Sequence, residues 1–424
     1  MGTTADKLAY LEDTKAAIRD AIAARGVDVP AGTTFRDYAA RIGEISGGGT
    51  EDPLDPEFYY QSFRPAEWLP LPEPGEDEMY FLMHVPKDSK GFIAFSVEFQ
   101  GSCTVEYGTT ESGTFVPDAS VPLSSGVSYE AEIDAAACHS PTAEGVGQLV
   151  FRVSGQGISS WSGSPHSRAL DHANWNIVDL ACRLPSCSKV KPGNFDMMLA
   201  MSSLRYFAWF GENRLEDMSD MFSSCYSLQA IRALDTTYVT NMTGAFFECH
   251  SLVAFPPLNT SKVTSLMDTF GNCGALSIIP EMDTSAVESF KYAFSNCYSL
   301  RSLSWMDTSS GTDFENCFYN CTSLRELPPI SLAGPPVEDG LGGAFGRCTA
   351  LQKVSFKDGA SGWIGSIIDL TDTMLGHDAL LELFDCLPSI SFNKRVVLYN
   401  VPGTVDLTEA EKQVLTAKGW TVLC

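Results

Sequence analysis

The chain has 424 residues, of which 44% are hydrophobic and 19% charged, and its formal net charge is −25. This length exceeds that of most single domains, and the composition is typical of a folded chain. The acidic excess disfavours nucleic acid and anionic membranes as partners, and no stretch approaches the ~20 apolar residues that span a bilayer. We therefore expect a multidomain α+β protein without membrane insertion.

Two amphipathic helices are predicted at the N-terminus. The first covers residues 5–25 and the second begins near Thr34, each with apolar residues spaced by three and four. Such narrow stripes fit a helical hairpin or packing onto sister copies, and the charges within the first helix do not fit a secretory signal. We predict an attachment or oligomerisation module over residues 1–46 and a linker over 47–54.

Residues 55–190 have the pattern of an antiparallel β-sandwich. Strand-like runs are separated by Gly, Ser and Pro turns, and they cover Met79–Val85, Gly91–Phe99, Thr104–Tyr107 and Gln148–Val153. Three tryptophans, Trp68, Trp161 and Trp175, are expected to pack in the core or between domains. His166, Asp171 and His172 lie close in sequence, but a loop trio of this kind is usually solvated, so we expect no metal site there.

A repeat follows, marked by six cysteines in register: Cys225, Cys249, Cys273, Cys297, Cys321 and Cys348. Four successive gaps are 24 residues and the last is 27. A phenylalanine precedes each cysteine by three residues and a leucine follows it by three, and an atypical first copy places Met198, Met201 and Leu204 in these columns. The phase predicts a solenoid of seven repeats over residues 198–356, in a domain spanning 191–358.

Each repeat has one apolar stripe that it cannot bury alone, so stacking joins the stripes into a continuous core. We predict a short strand in the Leu-x-x-Leu-x-x-Leu segment. Val239, Met242, Phe246 and Cys249 are spaced by three and four, which predicts a helical turn from the valine column to the cysteine.

The segments MFSSCYSLQAIRALDTTYVTNMTGAFFECHSL and LNTSKVTSLMDTF resemble the BspA-like leucine-rich repeats of bacterial surface proteins and adhesins, some protists and phage structural proteins. The resemblance implies a recognition surface. The chain departs from the pattern in the fifth copy, where SSGTDFENC lacks the valine, and before Cys348, where three residues are added. The N-terminal helices also resemble a module of phage tail-associated proteins.

Residues 359–424 are predicted to cap the solenoid with an α/β segment. The pattern predicts a helix at His377–Cys386, a strand at Arg395–Tyr399 and a capping box formed by Thr408 and Glu411. Gly419 stands where a helix C-terminal residue of positive φ belongs. This end resembles the closing segment of phage-encoded BspA-like proteins, and its role would be to cover the last apolar rung.

No catalytic fingerprint or cofactor motif is present, and we expect no cofactor, no metal and no enzymatic activity. Cysteines on successive rungs point the same way and do not converge on a metal, so they are interpreted as a buried ladder of reduced thiols. A column of Asp235, Asn259, Asp283 and Asp307, each followed by threonine, could hold calcium, but local side-chain to backbone turns explain it better.

Partner specificity is expected at variable positions within the fixed frame. The candidate partner-binding residues are Tyr226, His250, Tyr298, Trp305, Arg232 and Arg301. For Trp305, packing on the sandwich is an equally weighted alternative.

Together these features predict a non-enzymatic phage tail or fibre protein located in the virion, which presents the repeats to a host protein or glycan and contacts other tail proteins. A bacterial surface adhesin of the BspA-like family is the first alternative. A carbohydrate-active tail protein is the second, and two close carboxylates in a cleft would favour it.

Overall fold

The computed structural model describes residues 60, 63–163, 176–191, 201–232, 234–303, 306–331, 340–357, 367–390 and 394–424. This part of the chain is mostly β-structure. The predicted N-terminal helices and the linker after them lie outside the described residues. Where the chain is described, no helix is both long and apolar enough to cross a membrane.

In the described part of the chain before the repeats, nine strands form two β-layers. They are β1 Glu78–Val85, β2 Lys90–Glu98, β3 Cys103–Glu111, β4 Thr114–Pro122, β5 Ser128–Asp134, β6 Gly147–Gly155, β7 Ser160–Ser162, β8 Ile177–Arg183 and β9 Lys189–Lys191. One layer contains β8-β1-β6-β3-β4 and the other β5-β2-β7-β9. Each predicted strand run in this region overlaps an observed strand.

The core of the two layers is aromatic. The Phe81 ring of β1 lies 5.7 Å from Phe95 of β2 and 5.6 Å from Trp161 of β7, measured between ring centroids. All three side chains are almost fully buried. The prediction that Trp161 packs in the core is therefore confirmed. Trp175 lies outside the described residues.

The larger sheet continues into the repeats. Strand β10 (Tyr206–Trp209) pairs in parallel with β8, where Phe207 lies opposite Leu180, and β11 (Ala230–Ile231) pairs with β10 in turn. The result is a seven-stranded sheet in the order β11-β10-β8-β1-β6-β3-β4. The sheet therefore crosses the domain boundary predicted at residue 190.

Each repeat forms one rung, and the predicted strand segment makes the rung's short β-structure. This is a two-residue strand, as in β12 (Ile330–Ser331) and β13 (Phe356–Lys357), or a single bridge, as between Ala230 and Ala254. The atypical first rung keeps the turn of the others, since the Leu204 amide donates to the Met201 carbonyl (3.0 Å) as Leu228 does to Cys225.

The prediction of a helical turn between the valine column and the cysteine is wrong, because the chain forms consecutive β-turns there. The Cys249 amide donates to Phe246 three residues back (3.0 Å), and the neighbouring Glu248 amide donates to Gly271 of the next rung (2.8 Å). Two residues per rung have positive φ, which suits Gly, Asn and Asp. They are Asp220, Ser224, Gly244, Glu248, Asp268, Asn272, Tyr292, Asn296, Asn316, Asn320, Gly343 and Arg347. We call this side the turn face.

Phenylalanine rings stack through the centre of the solenoid. The ring of Phe270 lies 5.3 Å from Phe246 and 5.7 Å from Phe294, with the planes within 9° of parallel. The fifth rung lacks its valine because Phe314 fills that space. A Cβ added to Gly311 would lie only 2.5 Å from the tip of the Phe314 ring, so no larger residue fits.

The C-terminal segment continues the stack, since the Met374 amide donates to the Leu351 carbonyl (2.8 Å). Strands β14 (Ile367–Asp369), β15 (Lys394–Val397) and β16 (Trp420–Leu423) form a parallel sheet, flanked by helices α1 (His377–Cys386) and α2 (Glu409–Ala417). Helix α1 has the predicted bounds. The capping box at the start of α2 and the positive φ of Gly419 (92°) are also confirmed.

Candidate recognition surface of the solenoid

The short strands of the rungs form one side of the solenoid, which we call the strand face. One outward position per rung defines it: Ala230, Ala254, Ile278, Ser302, Glu326 and Lys353. The first two are buried and the other four are exposed. The strand face is thus covered at its N-terminal end and open at its C-terminal end.

Residues 63–72, together with Tyr60, cover the N-terminal end, and we call residues 63–72 the cover segment. Trp68 and Leu69 pack with Tyr206, Ala230 and Ala254 in one apolar cluster. The ring centroid of Trp68 lies 6.0 Å from that of Tyr206, and only 6% of the tryptophan surface is exposed. Trp68 therefore packs between the sandwich and the solenoid, as the sequence predicts.

A buried ionic cluster holds the cover segment in place. Asp179 of β8 is 2% exposed and accepts hydrogen bonds from Arg64 Nε (2.9 Å) and the Tyr60 hydroxyl (3.0 Å). Arg64 also donates to the carbonyls of Trp68 and Leu69. Burial raises the pKa of Asp179, and the Arg64 guanidinium opposes that rise. No local sequence pattern predicts this cluster, since Arg64 and Asp179 are 115 residues apart.

The open end of the strand face carries a pair of arginines. Arg301 and Arg325 are both exposed and lie on adjacent rungs, where the Arg325 amide donates to the Arg301 carbonyl (3.2 Å). The next rung carries Gln352 in the arginine column, and its Lys353 lies opposite the exposed Glu326 and pairs with Glu382 (3.0 Å). No ion pair between described residues includes either arginine. Of these residues, only Arg301 is among the partner-binding candidates that the sequence predicts.

The three aromatic candidates Tyr226, His250 and Tyr298 lie in one column beside the strand face. Tyr226 and His250 stack with 5.1 Å between ring centroids and 10° between planes. Tyr298 is 47% exposed and leans on Gly274, where an added Cβ would lie 3.1 Å from the tyrosine ring. The structure brings Tyr226 and His250 together on adjacent rungs, and Tyr298 lies two rungs beyond His250, over Gly274.

The other candidates have different positions. The guanidinium carbon of Arg232 lies 4.0 Å from the Tyr60 ring centroid and 5.6 Å from that of Phe210, so this arginine packs within the protein next to the cover segment. Trp305 lies outside the described residues, as do His166, Asp171 and His172. In the described ranges no group of three or more His, Cys, Asp and Glu side chains is arranged to hold a metal ion.

The cysteine ladder has a hydrogen-bonding role. Cys249 Sγ donates to the carbonyl of Phe222 on the preceding rung (3.2 Å), and that carbonyl also accepts the Cys225 amide (3.0 Å). The same thiol bond recurs on four further rungs at 3.0–3.1 Å, from Cys273, Cys297, Cys321 and Cys348. Each thiol therefore fills apolar space and links two rungs.

These thiols are poor nucleophiles. Burial raises the pKa of Cys297 and of Cys348 to about 12, and it raises the pKa of Cys249 and Cys273 well above the usual value. Because the thiolate is the reactive and metal-binding form, burial disfavours both kinds of reaction at these cysteines near neutral pH.

The acidic column makes local turns and rung-to-rung contacts. Asp283 Oδ1 accepts from the amide (3.0 Å) and hydroxyl (2.6 Å) of Ser285, and these bonds lower the Asp283 pKa. The adjacent buried Thr284 donates to the Asp307 carbonyl of the next rung (2.7 Å). These bonds are the local side-chain to backbone turns that the sequence predicts for this column.

A solenoid of short strands and β-turns with a continuous apolar centre is the architecture of a leucine-rich-repeat-type protein. Residues 216–328 match the model of a family described as "Mycoplasma protein of unknown function, DUF285". This match and the stacked rungs fit a BspA-like leucine-rich repeat protein.

Among solved structures, a chain of the TLR13–ssRNA13 complex matches with 14% sequence identity and a TM-score of 0.18. The match covers 57% of this chain and 43% of that one, so it spans less than half of the TLR13 chain's length. No curated protein matches this chain by sequence.

Proposed function

We propose that this chain is a non-enzymatic recognition protein of a phage tail or tail fibre, and that the open end of its strand face binds an acidic group on the host surface. The observation that carries the proposal is the adjacent, exposed pair Arg301 and Arg325. Like charges on neighbouring strands destabilise a sheet, so such a pair is better explained by an anionic partner than by folding.

The net charge of the whole chain also favours an anionic partner at this arginine pair. Only 28 of the 424 residues are Lys or Arg, against 53 that are Asp or Glu. On a chain of this kind, two adjacent exposed arginines, with Glu326 beside them, mark a place where an anionic group meets two cations. Arginine also binds carboxylate, sulfate or phosphate groups through two parallel hydrogen bonds.

The tail location rests on resemblance in three parts of the chain: the N-terminal module, the repeats and the closing segment. In this proposal residues 1–46 attach the chain to other tail proteins or to sister copies. Light scattering on the chain with and without its first 50 residues tests the attachment role. A trimer or larger ring that becomes a monomer on truncation supports it, and a monomer in both cases contradicts it.

Electron microscopy with antibody against this chain tests the location. Gold label on the tails of purified particles supports the virion assignment. Particles that carry no label contradict it and favour a bacterial surface adhesin.

Charge reversal tests the recognition face. The double variant Arg301→Glu and Arg325→Glu, labelled with a fluorophore, is compared with the original chain for binding to a panel of intact bacterial strains. We expect at least about a tenfold loss of affinity for any strain that the original chain binds, and a loss that weakens as salt rises. Lys262→Glu, at an exposed position away from this face, is the control. Equal binding by the double variant would refute the proposed face.

A further inference from the structure

A cleft of about 300 Å³ opens on the turn face, in a different column of the rungs from the arginine pair. It arises in one column of the turn face, where successive rungs carry Phe247, Gly271, Ser295 and Tyr319. The two aromatic residues stand at the ends of the cleft and the two small residues between them. We call these four residues the turn-face slot.

The side chains of the column explain why the slot is open. Phe247 leans over Gly271, since a Cβ added there would lie 3.0 Å from the phenylalanine ring. Tyr319 leans in the same direction over Gly346, also at 3.0 Å. Both rings therefore tilt toward the C-terminal end, which leaves the rung of Ser295 without an aromatic cover. At ~4.8 Å per rung, the Cα atoms of Phe247 and Tyr319 are ~14 Å apart.

The backbone of the slot is already satisfied. The Gly271 carbonyl accepts the Glu248 amide (2.8 Å), and the Ser295 carbonyl accepts the Asn272 amide (2.7 Å). A bound molecule is therefore recognised by the side chains and ring faces that line the slot, and not by unpaired backbone groups.

A ladder of amide side chains runs along one edge. Asn296 Nδ2 donates to Asn272 Oδ1 (2.8 Å), and Asn320 Nδ2 donates to Asn296 Oδ1 (2.9 Å). These bonds hold the amide planes in fixed directions. Asp268 lines the same cleft and is half-buried. The slot thus combines two aromatic surfaces with preoriented amide and carboxylate groups.

This combination selects a class of ligand. Aromatic faces suit the C–H face of a sugar ring, while amides and a carboxylate suit its hydroxyl groups. Asp268 and the overall charge of −25 repel an anionic sugar. The volume lies at the lower end of the ~300–1,000 Å³ that is usual for small-molecule sites, which fits one or two sugar rings.

We infer that the turn-face slot binds a neutral saccharide of one or two rings, which lies along the slot over Ser295 between Phe247 and Tyr319. The inference does not depend on the arginine pair or on a virion location, because it concerns a different face and a direct binding step. It adds to the solenoid a second recognition site, which takes an uncharged ligand.

The test uses the full chain on a printed array of neutral and acidic oligosaccharides, followed by calorimetric titration of each saccharide that is retained. Ser295→Tyr fills the slot with a residue type that the same column already holds on the next rung. Tyr319→Ala removes one wall. Tyr238→Ala removes a half-exposed tyrosine elsewhere on the solenoid and is the matched control. Thermal melting of each variant verifies folding.

We expect at least one neutral saccharide to bind saturably, with a loss of affinity of at least about tenfold in both slot variants and none in Tyr238→Ala. Three results would overturn the inference: retention of no neutral saccharide, retention of acidic ones alone, or equal affinity in folded slot variants. Loss of cell binding after reversal of Arg301 and Arg325, with saccharide affinity unchanged, would separate this site from the strand face.

Discussion

At the scale of single residues, the cysteine ladder shows why one residue type recurs. The position needs a side chain that fills a small apolar space and donates a weak hydrogen bond to a carbonyl with a second lone pair available. Alanine fills less space and donates nothing, and serine has a hydroxyl that is costlier to bury. The sequence predicts the burial of these cysteines, while the rung-to-rung bond to Phe222 and its equivalents is visible only in three dimensions.

Substitution in the middle of the ladder should separate these two roles. We expect Cys273→Ala to lower the free energy of unfolding by about 1–3 kcal/mol, because it leaves a small cavity and removes the thiol donor to Phe246. Cys273→Ser keeps a donor but buries a hydroxyl, so its loss should be similar or smaller. Urea unfolding measures both, with exposed Cys424→Ala as the control. No change in either ladder variant would contradict the proposed role.

His84 should make stability depend on pH. Burial beside Trp68, with 4.7 Å between ring centroids, lowers the pKa of His84 to about 4. Between pH 6.5 and about 4 the unfolded chain binds a proton that the folded chain does not, so acidification favours unfolding in this window. Above pH 6.5 the protonation of His84 no longer lowers the free energy of unfolding.

The substitution His84→Gln removes the part of the acid-induced loss of stability that is due to this histidine. We expect the original chain to lose about 1–2 kcal/mol more than the variant between pH 7 and pH 4.5, a figure reduced for the partial exposure of the ring. Urea unfolding at the two pH values gives the difference, in which the carboxylates common to both proteins cancel. Equal losses in the two proteins would disprove this assignment.

At the scale of elements, the back of each rung departs from its sequence pattern. Apolar spacing by three and four predicts a helix, yet the same spacing arises when consecutive β-turns bury every third or fourth side chain. The distinguishing signal was present: Asp, Asn or Gly occurs at many of the positive-φ positions, such as Gly244, Asn272 and Asn316. Turns that bond to the next rung keep the back as closely spaced as the front, whereas helices about 10 Å wide would force it apart.

The cover segment is an element that no local pattern predicts. Its position is set by the buried contact between Arg64 and Asp179, and removing one member of such a pair leaves an uncompensated buried charge. We expect Arg64→Ala to lower the free energy of unfolding by about 3–5 kcal/mol. Adding Asp179→Asn to it should restore part of that loss, since the charge is then gone.

Chemical denaturation of the single and double variants measures this coupling. Lys90→Ala, which breaks the exposed pair with Glu132 on the sandwich, is the control and should leave stability unchanged. If the changes in the free energy of unfolding caused by Arg64→Ala and Asp179→Asn simply add in the double variant, the two residues do not act as a pair.

At the scale of the whole molecule, sandwich and solenoid share one sheet and one hydrophobic core. That core runs from Phe81 in β1 through Phe207 in β10 to Trp420 in β16. Because β8 is hydrogen-bonded to both β1 and β10, exposure of the solenoid's first rung also exposes an edge of the sandwich. The two parts are therefore expected to unfold together.

Differential scanning calorimetry should show a single main transition. Trp209→Ala, at the junction of the sandwich and the first rungs, should lower its midpoint as a whole instead of splitting it, because the cavity weakens both parts. Two well-resolved transitions in the original chain, or a shift confined to one of them, would show that the domains are independent despite their shared sheet.

The sequence by itself determined the repeat: its period, its buried columns, the short strands and the helix and caps of the C-terminal segment. These are properties of spacing, and burial of one stripe per rung allows few alternatives. Tertiary structure alone decided which surface is open. The ends of the strand face differ because residues 63–72 lie on one of them, and the slot between Phe247 and Tyr319 depends on how rings from separate rungs tilt. Both are contacts between residues distant along the chain, which a local pattern does not encode.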